Sequence, residues 1–390
     1  MSTDPKRLLR ARWPESASRP VVSPLMPSVV YASDDADTLD QQYEGEIAGY
    51  TYAREGHPNA TVLASLLDAM EGAEGGSVVG SGMAAVSLAL LATASAGDHV
   101  VGADQLYGRS LRLMTEELPR LGIDTSLADP TDLGAIEAAI TPKTKLILIE
   151  TVSNPTLRVS DIAGIVELAH RHGVLVAVDN TFATPLGLQP FTIGADIVLH
   201  SVTKLLSGHS DATLGYIVAK DPGLNERFGV LSATYGFTAS PFDCWLAERG
   251  LYSFELRYER TTTTAARLAD RLAEHSAVKR VIYPTRRDHP DHNRAVSLLN
   301  GEGGHMVSFE VEGGRQKVNA FIRAASGISF APTLGDVATT LSHPPTSSHR
   351  AMSEEQRNAL GISEGFFRVS VGCENPDGLI GAFQDALDAL

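Results

Sequence analysis

The sequence predicts an α/β fold, a mostly parallel sheet with helices on both faces, followed by a smaller α+β unit. Three observations lead there. Short apolar runs alternate with amphipathic stretches along most of the chain. Those runs are apolar throughout rather than at every second residue, as in strands buried on both faces. At 390 residues, the chain is long enough for one large core and a smaller second one.

Residues 1–60 are rich in Pro, Asp, Tyr and Gly and show no sustained helical or strand period. An irregular segment of that length is commonly either disordered or used on another surface. Then come "SVVGS" at 77, a helix over about 82–95, "HVVGAD" at 99, a helix near 108–121 and "TKLILIET" at 144. A helix near 160–172 precedes "VLVAVDN" at 174, "ADIVLHS" at 195 and "TLGYIVA" at 213. Residues 61–250 therefore read as one α/β domain. Residues 251–390 read as the smaller unit. A long helical pattern ends in "RLADRLAEH", and "HMVSFEVEG", a helix near 315–325, a loop rich in Pro, Thr and His over 331–350, and "FFRVSVGCEN" follow.

Composition narrows the function. The formal charge is −15, from 32 basic and 47 acidic side chains. A surface of that sign repels nucleic acid and anionic membranes, so the expected ligand is small and bound in a local pocket. Cys244 and Cys373 lie far apart with no CxxC partner, which leaves neither a disulfide framework nor a thiolate metal cluster. Reduced thiols, the lack of a ~20-residue apolar run and an N-terminus without an apolar signal core all point to the cytoplasm. His170, His172, His289 and His292 form no HExxH, so no metal is expected.

In α/β sheets ligands bind at the carboxyl ends of the strands. Here those ends are polar. Gly80-Ser81-Gly82 opens a helix, Asp104 and Tyr107 follow one run, Glu150 and Asn154 another, and Asp179 and Thr181 a third. Ser201, Thr203 and Lys204 follow the run ending at Leu199. One reading takes "GSGMAA" as a dinucleotide fingerprint with Asp104 on a ribose, hence an NAD-binding oxidoreductase. That reading leaves Asp179 and Lys204 without work.

A second reading uses every strand end. A lysine among apolar residues is expensive unless covalently used or paired, and a desolvated lysine commonly carries a Schiff base to an aldehyde cofactor. An aspartate on a neighbouring strand would keep a pyridine nitrogen protonated, as pyridoxal phosphate requires. Its phosphate would sit on the amides of Gly82 and Met83, with the hydroxyls of Ser201 and Thr203, and Tyr107 would stack on the ring.

Several strings carry a family resemblance: "GYTYAREGHPN", "SGMAAV", "DQLYG", "ETVSNPT", "VDNTFATP", "HSVTKLLSGHSD", "TLGDVATTLSHP" and "FRVSVGCEN". From about residue 22 to its end the sequence resembles the transsulfuration, or Cys/Met metabolism, family of pyridoxal phosphate enzymes. Its members include cystathionine synthases and lyases, methionine γ-lyase and O-acylhomoserine sulfhydrylases. The resemblance implies fold-type I, aspartate-aminotransferase-like, with a seven-stranded sheet and a homotetramer of two catalytic dimers.

By position it makes Lys204 the Schiff-base lysine, Asp179 the partner of the pyridinium nitrogen and Tyr107 the residue stacked on the ring. Ser81, Gly82, Met83, Thr181, Ser201 and Thr203 fall in the cofactor-binding stretches. Tyr52 and Arg54, in the 1–60 segment, would reach the phosphate of a neighbouring subunit, so that segment becomes an intersubunit arm. Asn154 and Arg368 match the positions that hold the substrate carboxylate, Asn154 also lying near the cofactor's phenolic oxygen. Thr333 replaces the usual serine beside them.

The sequence departs from the family pattern at three places. His57-Pro58-Asn59 stands for Asn-Pro-Thr, an altered entrance. Arg109 stands where most members have a small residue and methionine γ-lyases a cysteine, and it would favour an anionic group if it pointed inward. Ala338 replaces a glutamate common in cystathionine enzymes. The resemblance thus implies a lyase for γ-elimination from cystathionine, an O-substituted homoserine or canavanine, with γ-replacement as the alternative.

Overall fold

The structure, a computed structural model, describes residues 16–350 and 352–390. The start of the expected arm, residues 1–15 with most of its basic side chains, lies outside the described residues, and so do the corresponding positions of the signal-peptide reading.

The large sheet has seven strands: β1 (Ser77–Val79), β2 (His99–Ala103), β3 (Asp124–Ala128), β4 (Thr144–Glu150), β5 (Leu175–Asp179), β6 (Ile197–His200) and β7 (Gly215–Ala219). Their order is β1-β7-β6-β5-β4-β2-β3. Strands β2 to β6 are mutually parallel, β7 runs against β6, and β1 runs against β7. The residues alone announce six of these strands. The seventh, β3, reads "DTSLA", and only Ala128 in it is buried, because it closes the edge of the sheet beside β2. Edge strands carry polar residues and lack the all-apolar signature.

Chain order reverses between β2 and β4, so the crevice at their carboxyl ends is a topological switch point. The helix Gly82–Thr93 lies against the sheet and buries Ala84, Ala85, Val86, Leu88, Ala89 and Leu90. It is apolar all round, as a fully enclosed helix must be.

The second sheet contains β8 (Val278–Ile282), β9 (Met306–Val311), β10 (Ser329–Phe330), β11 (Thr340–Ser342) and β12 (Phe366–Ser370), in the order β10-β11-β12-β9-β8. Phe309, Phe321, Phe367 and Phe383 fill its core, the Phe321 and Phe367 rings 4.9 Å apart. Each such buried ring stabilises the fold by roughly 2–3 kcal/mol. The long helical pattern before it resolves into two helices, Pro241–Leu251 and Phe254–Ala273. The second crosses between units: Phe254 and Tyr258 pack with the first, Ala265, Leu268 and Leu272 with the second.

Residues 16–60 are more ordered than their composition suggests. Helix Ala36–Tyr43 is capped by Asp35, whose carboxylate accepts the Thr38 amide at 2.7 Å, and it buries no residue. Without an apolar stripe there is no period to read. Further back, Ser23 donates to Glu248 at 2.6 Å, and its carbonyl accepts the Trp245 indole at 2.9 Å. Helix Pro58–Glu71 then leads under the sheet. No helix among the described residues is long and apolar enough to cross a membrane.

Candidate active site

Lys204 lies in the turn directly after β6, its amide bonded to the Ser201 carbonyl at 3.1 Å. Burial pushes its ammonium below the ordinary lysine value, and the Arg368 guanidinium pushes it further. The turn is braced from behind. Arg257, itself buried, donates to the carbonyls of Leu205 at 2.5 Å, Leu206 at 3.0 Å and Gly250 at 2.7 Å. Sequence reasoning missed Arg257, since an arginine inside a long helical pattern gives no hint that it points inward.

Arg368, in β12, is buried. Nη1 donates to Asn154 Oδ1 at 2.7 Å and Nη2 to the Thr333 carbonyl at 2.9 Å, while Nε has no partner. Burial lowers it to about 10. A buried cation with a free N–H calls for an anion, and a planar carboxylate fits its fork. Thr333 takes part through its main chain, so its replacement of serine costs that contact nothing.

Asp179 ends β5, with Glu150 of β4 and Leu199 of β6 as its in-register neighbours. Thr181 donates to Asp179 Oδ1 twice, from its amide at 3.0 Å and its hydroxyl at 2.5 Å, which leaves Oδ2 for a further donor. Burial raises the Asp179 carboxyl above its ordinary value, and the Thr181 bonds act against that. The sequence reading noted Glu150 only as a strand end. Its Oε1 accepts the Tyr107 amide at 2.6 Å, and burial together with the Asp179 charge holds its carboxyl well above the ordinary glutamate value.

The helix after Ser81 opens onto this space. Ser81 Oγ accepts the Ala84 amide at 3.1 Å and its carbonyl accepts that of Ala85 at 3.2 Å, so the amides of Gly82 and Met83 precede the first helical bonds. Such an end suits a phosphate. A Cβ on Gly82 would stand 2.7 Å from that of Ser201, so only glycine lets the helix reach the Lys204 turn. The Thr203 hydroxyl both accepts the Leu214 amide at 2.9 Å and donates to the Leu214 carbonyl at 3.1 Å. Ser201 is the less engaged of the two hydroxyls.

Tyr107 is 39% exposed at the mouth, and Arg109 beside it is exposed. Ala338 is exposed as well. His57 is not at an entrance of this chain: it is buried, accepts the Ala60 amide through Nδ1 as a helix cap, and bonds the Ala239 carbonyl at 3.0 Å. Tyr52 and Arg54 are not brought to Lys204. They line a surface cavity of about 740 Å³ with Phe242 and Val29, the Arg54 guanidinium 5.4 Å from the Tyr52 ring centroid.

The dinucleotide reading fails on topology. Gly80 to Gly82 follow β1, which pairs antiparallel both with β7 and, at Val79, with Thr238, whereas a dinucleotide fingerprint follows a central parallel strand. Asp104, raised by burial, has one oxygen enclosed without a partner rather than presented to a ligand. A pyridoxal phosphate, by contrast, fits the groups present: a free helix end, an available Asp179 oxygen and a half-buried lysine with an arginine rather than a carboxylate acting on it.

Comparison with known proteins agrees. A family model described as Cys/Met metabolism PLP-dependent enzyme matches residues 9–388. The chain is 42% identical over 355 residues to the cystathionine β-lyase of Bacillus subtilis, spanning 91% of this chain and 90% of that one. It is 39% identical over 353 residues to the cystathionine γ-lyase of the same organism, spanning 90% and 92%. A cystathionine γ-synthase structure from Xanthomonas oryzae pv. oryzae, with cystathionine bound, matches with a TM-score of 0.90 at 35% identity over 96% of this chain and 95% of that one. With sequence, fold and strand-end chemistry in agreement over nearly the whole length, the chain belongs to the Cys/Met metabolism family of pyridoxal phosphate-dependent enzymes.

Proposed function

We propose that this enzyme is a lyase that removes a γ-substituent from a homoserine-type amino acid, with cystathionine, O-substituted homoserines and canavanine as its substrate class. The observation that carries the reading is Arg368. It is a buried guanidinium with a free Nε, held by Asn154 and Thr333 next to a lysine whose charge it disfavours.

Pyridoxal phosphate supplies an electron sink for charge developing at the substrate α carbon. Arg368 and Asn154 bind the substrate carboxylate and so fix which bond faces Lys204. Asp179, whose Oδ1 is occupied by Thr181, would keep the proton on the pyridine nitrogen with its other oxygen. Gly82, Met83 and Ser201, with Thr203 and Ser81, would hold the phosphate, and Tyr107 would cover the ring. Lys204, with its lowered affinity for protons, takes the α proton as a neutral amine. Lys204 would have to give up that proton before acting again, and as a neutral amine once more it would remove a β proton, which would let the γ substituent depart with its bonding electrons.

Tyr52 and Arg54 complete the phosphate site of a neighbouring copy in a homotetramer. In support, Val21, Val22, Val29, Val30 and Tyr52 on the N-terminal segment and Phe242 at the start of helix Pro241–Leu251 are exposed apolar residues. A monomer rarely leaves such a patch open.

Two further reactions stay in view. β-Elimination is favoured by the 42% identity to a β-lyase against 39% to a γ-lyase. γ-Replacement is favoured by the fold match to a γ-synthase. Cystathionine separates the two eliminations, because it is γ-substituted on one side and β-substituted on the other. γ-Elimination releases cysteine, ammonia and 2-oxobutanoate. Pyruvate and homocysteine would overturn the γ reading in favour of the β one. An O-acylhomoserine given with cysteine that yields cystathionine in place of a 2-oxo acid would replace it with the synthase.

A further inference from the structure

Beneath the site lies a buried carboxylate that the mechanism above does not use. Glu71 is the last residue of helix Pro58–Glu71 and is 2% exposed. Its Oε1 accepts from His200 Nε2 at 2.5 Å and from Asn180 Nδ2 at 3.3 Å. Asn180 Oδ1 in turn accepts the Thr151 hydroxyl at 2.8 Å. His200, Asn180 and Thr151 are all fully buried.

The positions of these three partners give the network its meaning. Thr151 follows Glu150 at the end of β4, Asn180 follows Asp179 at the end of β5, and His200 ends β6 immediately before Ser201. One carboxylate therefore joins the three strand ends that carry the proposed chemistry. Successive residues of an extended chain point to opposite faces, so whatever fixes Asn180 on one side fixes Asp179 on the other. Main-chain bonds repeat the lacing: the Thr151 amide donates to the Asp179 carbonyl at 3.1 Å and the Asn180 amide to the Leu199 carbonyl at 2.9 Å.

Burying a carboxylate in this way is costly. Glu71 Oε2 and His200 Nδ1 are both enclosed without partners, where apolar side chains would pack with no such penalty. Asn180 Nδ2 also donates to the buried Leu188 carbonyl at 2.7 Å, and a polar network held at that cost across three functional strands points to orientation of the site.

We propose that Glu71 is a positioning residue: it ties the carboxyl ends of β4, β5 and β6 together and thereby holds Asp179 at the angle that the cofactor's ring nitrogen requires. The inference rests on the assignment of Lys204 and Asp179 to the pyridoxal phosphate site. It acts through geometry rather than charge, since an amide oxygen can accept the same two bonds as the carboxylate.

The test compares Glu71→Gln and Glu71→Ala with the parent protein, each loaded with pyridoxal phosphate. Three quantities are read: the cofactor dissociation constant, the visible absorption of the bound cofactor against pH, and kcat and KM separately. Glu71→Ala should bind cofactor about tenfold more weakly, the scale on which outer-shell partners act. Its absorption should titrate at a shifted pH, and its kcat should fall while KM, set at Arg368, stays within about twofold. Glu71→Gln should restore all three. A Glu71→Ala protein with parental absorption and cofactor affinity, or a Glu71→Gln protein as impaired as Glu71→Ala, would overturn the proposal.

If Glu71→Ala does not fold, Thr151→Val tests the other end of the network. It should weaken cofactor binding about threefold, the worth of one hydrogen bond, and parental behaviour overturns the proposal. A parent protein that develops no visible band with pyridoxal phosphate defeats the site assignment itself, which is a different result.

Discussion

Glu150 and Asp179 stand side by side in register at the carboxyl ends of β4 and β5, two carboxylates on adjacent parallel strands. Both cannot be ionised cheaply in that space. The two hydrogen bonds from Thr181 to Asp179 favour the anion on Asp179, whereas burial and the Asp179 charge favour the proton on Glu150. Burial thus raises both carboxyls, with the Thr181 bonds opposing it at Asp179, and we propose that Asp179 is the member of the pair that carries charge toward the cofactor's ring nitrogen while Glu150 supports Tyr107.

Glu150→Gln should therefore stabilise the cofactor-free protein at neutral and alkaline pH. A carboxyl whose folded-state value is raised contributes stability below its unfolded value and loses it as pH rises through the folded one. Parent and variant should match below pH 4.5, the ordinary glutamate value. Above it they should diverge by on the order of 1 kcal/mol. Urea unfolding at a series of pH values measures this.

Arg368→Met should separate binding from chemistry. It removes the charged donor from Asn154 and from the incoming carboxylate, a loss of about 1.5–3 kcal/mol per bond, or roughly 10- to 100-fold in KM. It should also raise the pH at which Lys204 becomes reactive in the cofactor-free protein, because Arg368 is one of the two causes that lower it. The pH dependence of lysine acylation, read by peptide mapping, checks the second effect. In the parent its midpoint should lie below 10.5.

Arg54→Ala and Lys204→Ala should complement each other. If Arg54 serves a neighbouring copy, a mixed oligomer contains sites in which both residues are intact. Co-refolded variants should recover turnover that neither has alone, and their mixture without refolding should not. Recovery no greater than the sum of the two would place Arg54 outside the site.

Arg109→Ala should change little. Arg109 is exposed and solvated beside Tyr107. KM values for cystathionine and for an O-succinylhomoserine should each shift less than about twofold, the range of exposed charge pairs. A larger loss confined to the acidic substrate would make Arg109 its specificity residue.

The sequence makes the fold class, the six apolar strands and the strand-end residues legible, because buried parallel strands and their polar ends each leave a local signature. Strand β3 and the helix Ala36–Tyr43 escape it because they are exposed edges of the fold with little or nothing buried. Glu71, Arg257 and the function of Glu150 escape it for another reason. Each acquires its meaning from a contact across the chain, Glu71 with His200 and Arg257 with Leu205, and no local period encodes such contacts. Lys204 stands out in the sequence as a charge at the end of an apolar run. Arg368 carries no such local signal and is marked in the sequence only by the family resemblance; its burial, its unpartnered Nε and its bond to Asn154 are visible only in the structure.

The most direct measurement is borohydride reduction of the pyridoxal phosphate-loaded protein followed by peptide mapping. The account predicts a yellow protein that loses its colour on reduction, with the pyridoxyl group on the peptide containing Lys204 and no label in Lys204→Ala. Label on another lysine, or a protein that stays colourless with the cofactor, would contradict it.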